Sequence, residues 1–335
     1  LRAFVQEVRL RNEDIPIFLY GETRTSRHIP NDVLKELHGF IHMFEDTPEF
    51  IARYVARESR VYLDSLAPPF FRALTHYAAD SSYSWHCPGH SGGVAFLKSP
   101  VGQMFHQFFG ENMLRADVCN AVDELGQLLD HSGPVAASER NAARIFNCDH
   151  LFFVTNGTST SNKIVWHSTV APDDIVVVDR NCHKSILHAI IMTGAIPVFL
   201  MPTRNHYGII GPIPLDEFKP ENIRRKIAAN PFAKGIDAKP RVLTITQSTY
   251  DGVLYNVDTI KSLLDGEIHT LLFDEAWLPH ASFHDFYTGM HAIGKDRPRC
   301  HESMVFATQS THKLLAGLSQ ASQILVQESD QRQLD

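Results

Sequence analysis

From Leu151 onward the chain is organised around seven short apolar runs, LFFVT, DIVVVD, IPVFLM, RVLTIT, HTLLFD, SMVFAT and SQILVQ, separated by segments with helical spacing. A strand with one wet face alternates apolar and polar side chains. Continuous runs predict strands covered on both faces, as in a mostly parallel sheet with helices above and below. Helical stretches such as 185–192 and 222–229 supply the crossovers that parallel neighbours need. The expected fold class is therefore α/β. Ligands of such open sheets bind beyond the carboxyl ends of the strands, so the residues just after each run are the candidate site.

The segment before these runs is organised differently. Phe4, Val5, Val8 and Leu10 have helical spacing, 15–19 reads as a short apolar strand, and 1–45 together predict helix, strand, helix. Residues 45–74 show helical spacing through Ile51, Tyr54, Val55 and Tyr62, with a break at Pro68-Pro69. A turn-rich stretch, SWHCPGHSGG, follows at 84–93, and the pattern is mostly helical from there to Asn147, including 135–146. This predicts a partial domain at 1–45, a helical linker at 46–75 and a large domain at 76–335. Leu1 stands where an initiator Met would, without a signal-peptide pattern after it, so the chain is expected to be cut or processed.

The net charge of -7 leaves no basic excess to neutralise a run of phosphates, which argues against nucleic acid as partner. The longest apolar stretch, 186–201, is interrupted by His188, Thr193, Gly194 and Pro197 and is too short for a membrane span. Five cysteines without CxxC spacing argue against a disulfide framework or thiolate zinc and fit a reduced, cytoplasmic setting. A small molecule is the expected ligand.

Three segments at run ends carry chemistry. Asn156-Gly157-Thr158-Ser159-Thr160 follows the first run and leads into a helix. Free amides at a helix start, a glycine permitting close approach, and the hydroxyls of Thr158 and Ser159 suit a phosphate; an ordinary helix cap is the alternative. Neither GxxxxGK[ST] nor GxGxxG occurs. The fifth run ends in DEAW, placing Asp274 at a strand end, where a buried carboxylate needs a cationic or donor partner. A protonated pyridine nitrogen would serve; a helix cap or a magnesium ligand are the alternatives. Ala276 is small enough to lie against a flat ring, and Trp277 can wall the site. After the sixth run comes Gln309-Ser310-Thr311-His312-Lys313. Partial burial beside Leu314-Leu315 would lower the Lys313 pKa and make it a Schiff-base former, against the alternative of a solvated lysine. His183 follows the second run. A metal site at His86, Cys87 and His90 is disfavoured by the Pro88-Gly89 turn and the lack of a further cluster, so these residues read as shaping the entrance. Tyr250 and Asp251 read as turn residues.

The segment TQSTHKLLAGLSQASQ at 308–323 resembles the lysine-attachment signature of the bacterial ornithine, lysine and arginine decarboxylases of pyridoxal-phosphate fold type I. The resemblance extends, in the family's order, to HCPGHSGG at 86–93, FVTNGTSTSNKIV at 153–165, DRNCHKSILHA at 179–189, STYDGVLYN at 248–256 and DEAW at 274–277, covering Tyr77 to Val326. The N-terminal piece resembles the end of the receiver-like wing domain of these enzymes and their linker. The resemblance implies pyridoxal 5'-phosphate as cofactor, Lys313 as its Schiff-base lysine, Asp274 as partner of the ring nitrogen and His183 stacked on the ring. Thr158 and Ser159 would bind phosphate, assisted by Ser310 and His312, with Trp277 lining the pocket and no metal. It also implies decarboxylation of a basic amino acid to an amine and CO2 with uptake of a proton, hence roles in polyamine formation and acid resistance. A homodimer assembled into larger rings is implied too, as is a C-terminal domain beyond this chain. An aminotransferase of the same fold type and a non-catalytic regulatory or assembly module are the competing classes.

Overall fold

A computed structural model of the chain describes residues 1–80, 87–119, 122–236 and 238–334; His86 of the HCPGHSGG motif lies outside them. The chain divides into two compact units, Leu1–Val135 and Ala136–Asp335. The boundaries expected at residues 45 and 75 both fall within the first.

In the first unit, α1 (Arg2–Arg11) is followed by β1 (Phe18–Gly21), the short helices α2 (Thr23–Ser26) and α3 (Asn31–Leu34), and β2 (Gly39–His42), which pairs in parallel with β1. Two details differ from the sequence reading. The first strand begins at Phe18 rather than residue 15, past Pro16, which has no N–H to give a ladder. The second strand went unread because four residues are too few to show a period. Next, α4 (Pro48–Leu66) starts where Thr47 accepts a bond from the Phe50 amide and Pro48 takes the first turn, and it stops short of Pro68, the residue before α5 (Pro69–Ala79). The remaining helices are α6 (Pro100–Phe109) and α7 (Glu111–Arg115), with α8 (Gly133–Phe146) running across the division.

The second unit is built on all seven apolar runs. They form β3 (His150–Val154), β4 (Ile175–Asp179), β5 (Ile196–Leu200), β6 (Val242–Thr246), β7 (Thr270–Asp274), β8 (Met304–Gln309) and β9 (Ser322–Gln327). The sheet order is β3-β9-β8-β7-β6-β4-β5, and β9 alone runs antiparallel to its neighbours. The helices α9 (Gly157–Thr169), α10 (Lys184–Thr193), α11 (Pro220–Ala229) and α12 (Val257–Leu264) lie between the strands in sequence, with short α13 (Thr311–Leu314) and α14 (Asp330–Leu334) completing the unit.

The continuous hydrophobicity follows because successive residues of a strand enter different cores. β4 sends Val176 and Val178 into one, with Val165 and Trp166 of α9 and Ile186 and Ala189 of α10. Val177 enters another, with Val257, Ile260 and Leu264 of α12. Each fully buried aliphatic side chain stabilises the fold by about 1.5–3 kcal/mol relative to exposure. Polar side chains fasten α9 to the sheet: Trp166 Nε1 donates to Thr244 Oγ1 at 3.1 Å, and Ser161 Oγ meets Ser322 Oγ at 3.0 Å. That fastening fixes the start of α9 at the carboxyl ends of the strands.

Candidate active site

Loops at the carboxyl ends of the parallel strands enclose a cavity of about 860 Å³. Thr158, Ser159, His183, Asp274, Trp277, Ser310, His312 and Lys313 all line it, although they come from four separate stretches of sequence. The sheet brings them together because β3, β4, β7 and β8 end on the same side.

One end of the cavity is rich in donors. α9 begins at Gly157, whose φ of 72° is open to a glycine and strained for other residues, and whose amide donates to the Gln320 carbonyl at 2.8 Å. Asn156 makes no side-chain cap, so the leading amides of a 13-residue helix meet the cavity without one. Thr158 Oγ1 and Ser310 Oγ, both buried, lie 2.5 Å apart. His312 donates from Nδ1 to the Ala321 carbonyl at 2.7 Å, which fixes its ring beside them.

At the other end stands a carboxylate. Asp274 is 4% exposed, its Oδ1 accepting from the Ala276 amide at 3.1 Å and its Oδ2 from Asn162 Nδ2 at 2.9 Å. Among the described residues no cation lies within ion-pairing distance of it. Burial pushes its carboxyl above the usual carboxylate range, against the opposing pull of the Asn162 donor. Burial likewise lowers the Lys313 amine, while the nearby Asp274 charge works the other way. Lys313 Nζ lies 4.4 Å from the centre of the Trp277 ring, and Tyr250 packs edge-on against the same ring at 5.1 Å. Tyr250, read from sequence as a turn residue, thus forms part of the wall.

His183 is the N-cap of α10: its Nδ1 accepts from the Ser185 amide at 3.2 Å and pairs with Ser185 Oγ at 2.9 Å. Partial burial lowers its pKa. At Cys182 beside it, burial, then the nearby Asp179 carboxylate, push the thiol up to about 12, which disfavours the thiolate.

Sequence reasoning missed the residues that hold these groups. Asn162, 1% exposed, donates to both Asp274 and Ser185 and accepts from Thr308 Oγ1 at 2.7 Å. Glu275, fully buried, accepts from the Ala292 amide at 2.6 Å and from Gln309 Nε2 at 2.7 Å. A signal for Asn162 exists in the spacing of 158, 161, 162, 165 and 166, which marks one helical face on which a polar residue would be buried.

The cavity suits pyridoxal phosphate. Uncapped helix amides and two adjoining hydroxyls match a phosphate, the buried carboxylate matches a protonated ring nitrogen, and the burial-lowered amine matches an aldehyde.

Comparison with known proteins agrees in order and extent. The family model for the Orn/Lys/Arg decarboxylase major domain matches residues 68–334, and that for the N-terminal domain of the same group matches residues 1–62. The chain is 56% identical over 334 residues to lysine decarboxylase LdcA of Pseudomonas aeruginosa, covering 99% of the chain and 44% of that protein. It is 43% identical over 332 residues to the biodegradative arginine decarboxylase of Escherichia coli, covering 98% and 44%. The solved structure of lysine decarboxylase A from Pseudomonas aeruginosa superposes with a TM-score of 0.84 at 56% identity, over 99% of this chain and 44% of that one. The chain thus spans about 44% of the length of these curated relatives.

Proposed function

Because the chain belongs to the Orn/Lys/Arg decarboxylase family, we propose that it carries the cofactor-binding part of a pyridoxal-phosphate decarboxylase of basic amino acids. Lysine is the first substrate to test, since identity is 56% to a lysine decarboxylase against 43% to an arginine decarboxylase. The observation that carries the proposal is the grouping, in one cavity, of a burial-lowered amine, a buried carboxylate without an ion-pair partner among the described residues, and an uncapped helix start flanked by hydroxyls.

The first turn of α9 with Thr158, Ser159, Ser310 and His312 would hold the phosphate. Asp274 would hold a proton on the ring nitrogen, and Lys313 would be the covalent anchor. When bound, the cofactor supplies an electron sink for the pair left behind as the substrate carboxylate departs as CO2. His183 would lie against the ring, and Trp277 with Tyr250 would exclude water from one side. Lys313 Nζ, which also lines the cavity, would be in place to hand a proton to the substrate α-carbon. The balance is one amino acid and one proton consumed, one amine and one CO2 released.

A homodimer or larger ring is part of the same proposal, supported by the exposed apolar side chains of Val101, Met104 and Phe108 along α6. Cytoplasmic placement is proposed from the scattered cysteines of the sequence. Replacing Lys313 with Ala is expected to abolish CO2 release from lysine; wild-type-like release by that variant would overturn the assignment.

A further inference from the structure

We propose that Asn162 is a positioning residue of this site, fixing the Asp274 carboxylate for the ring nitrogen and, through Ser185, the tautomer of His183. The inference rests on the cofactor reading above and assigns a role to a residue in the middle of α9.

The geometry gives each atom of the relay one role. Both Asp274 oxygens receive N–H donors, from Ala276 and Asn162, so the Asn162 atom 2.9 Å from Oδ2 is its nitrogen. Turning the amide over would set two acceptors against each other. Thr308 Oγ1, at 2.7 Å, then donates to Asn162 Oδ1 and holds the amide in that orientation. The second Asn162 proton points at Ser185 Oγ, 3.1 Å away, which leaves the Ser185 hydroxyl proton for His183 Nδ1 at 2.9 Å. The Ser185 amide also donates to Nδ1, at 3.2 Å. With two donors converging on Nδ1, the neutral ring carries its proton on Nε2, the one N–H it can offer to a ligand. The relay from Thr308 through Asn162 and Ser185 to His183 therefore runs in one direction, with the Asp274 carboxylate as its branch. Asn162 is poorly suited to a helix interior by propensity, and its burial at 1% exposure is compensated by three side-chain hydrogen bonds.

The test compares wild type with Asn162→Asp, which keeps shape but loses both donors, and with the pair Thr308→Val and Thr308→Ser, of which only the second keeps the hydroxyl. Three readouts apply: labelling of Lys313 by borohydride reduction after incubation with pyridoxal phosphate, retention of the cofactor with the pH dependence of its absorption, and the histidine 15N spectrum of cofactor-free protein. Losing one hydrogen bond to a charged group, and setting a second carboxylate against Asp274 in its place, should weaken cofactor retention by at least roughly 10- to 100-fold in Asn162→Asp. It should also move the absorption-versus-pH midpoint by about one unit or more. Thr308→Val should follow in the same direction with a mixed His183 tautomer, and Thr308→Ser should restore wild-type behaviour. If wild type is labelled on Lys313 and Asn162→Asp and Thr308→Val match it in retention, spectrum and tautomer, this proposal fails while the cofactor reading stands. If wild type itself is not labelled, the cofactor reading fails and the proposal with it. Should Asn162→Asp not fold, the Thr308 pair decides the question.

Discussion

Glu275 offers a quantitative test of how the site is supported. It is next to Asp274 in sequence but belongs to a separate buried network, in which it accepts from the Ala292 amide and Gln309 Nε2, and Gln309 Oε1 accepts from Gln323 Nε2 at 2.8 Å. The buried ammonium of Lys261 approaches the same region, donating to the Ala292 and Pro298 carbonyls and to Gln327 Oε1. Burial raises the Glu275 carboxyl from 4.5 to about 7, against the opposing pull of Gln309, Ala292 and Lys261. Between those values the folded protein holds a proton that the unfolded chain has released. Stability from this group is thus fully present below the unfolded pKa and is lost as pH rises through about 7. At about 1.4 kcal/mol per pKa unit, the shift corresponds to roughly 3 kcal/mol. Glu275→Gln cannot titrate, and groups not coupled to this carboxyl cancel in the difference, which leaves Glu275 with the Lys261 and Asp274 charges that act on it. Urea unfolding of the two proteins at pH 5, 6, 7 and 8 should therefore show wild type losing roughly 2–3 kcal/mol relative to the variant between pH 5 and pH 8. A difference that stays flat across that range would refute the claim that burial, rather than the hydrogen bonds, dominates at this carboxylate.

Other expected outcomes follow from single contacts. Thr158→Val and Ser310→Ala should each reduce pyridoxal-phosphate affinity about tenfold, and the double variant should lose less than the product, because the two hydroxyls share a hydrogen bond; absorbance titration measures all three. Trp166→Phe removes the donor to Thr244 Oγ1 at a side chain with no exposure and should destabilise the fold by about 1–3 kcal/mol in urea unfolding. Lys261→Met should change the alkaline side of the stability curve. Burial lowers that amine to about 8, so wild type should gain stability relative to the variant as pH rises from about 8 toward 10.5, where the unfolded chain still holds the proton.

The strands were legible because burial on both faces leaves a mark that needs no partner: β4, with every residue buried, reads as an unbroken apolar run. The direction of β9 was not legible, since Ser322–Gln327 is as apolar antiparallel as it would be parallel. Direction is set by what lies between strands, and 310–321 holds only the four-residue α13 and no crossover helix. The side chains facing the cavity could be named because they sit at run ends and within motifs whose family order is recognisable. Asn162, Ser185 and Thr308 were missed for a common reason: each is an ordinary polar residue inside a helix or strand, and only the fold shows that the three converge within hydrogen-bond reach. Glu275 was hidden by its neighbour, because consecutive residues at a strand end point to opposite sides and sequence does not say which carboxylate faces the ligand.

The most direct test of the central claim is a peptide map of protein incubated with pyridoxal phosphate and reduced with borohydride. The expected result is a phosphopyridoxyl group fixed on Lys313 alone. Absence of label, or label scattered over surface lysines with Lys313 unmodified, would contradict it.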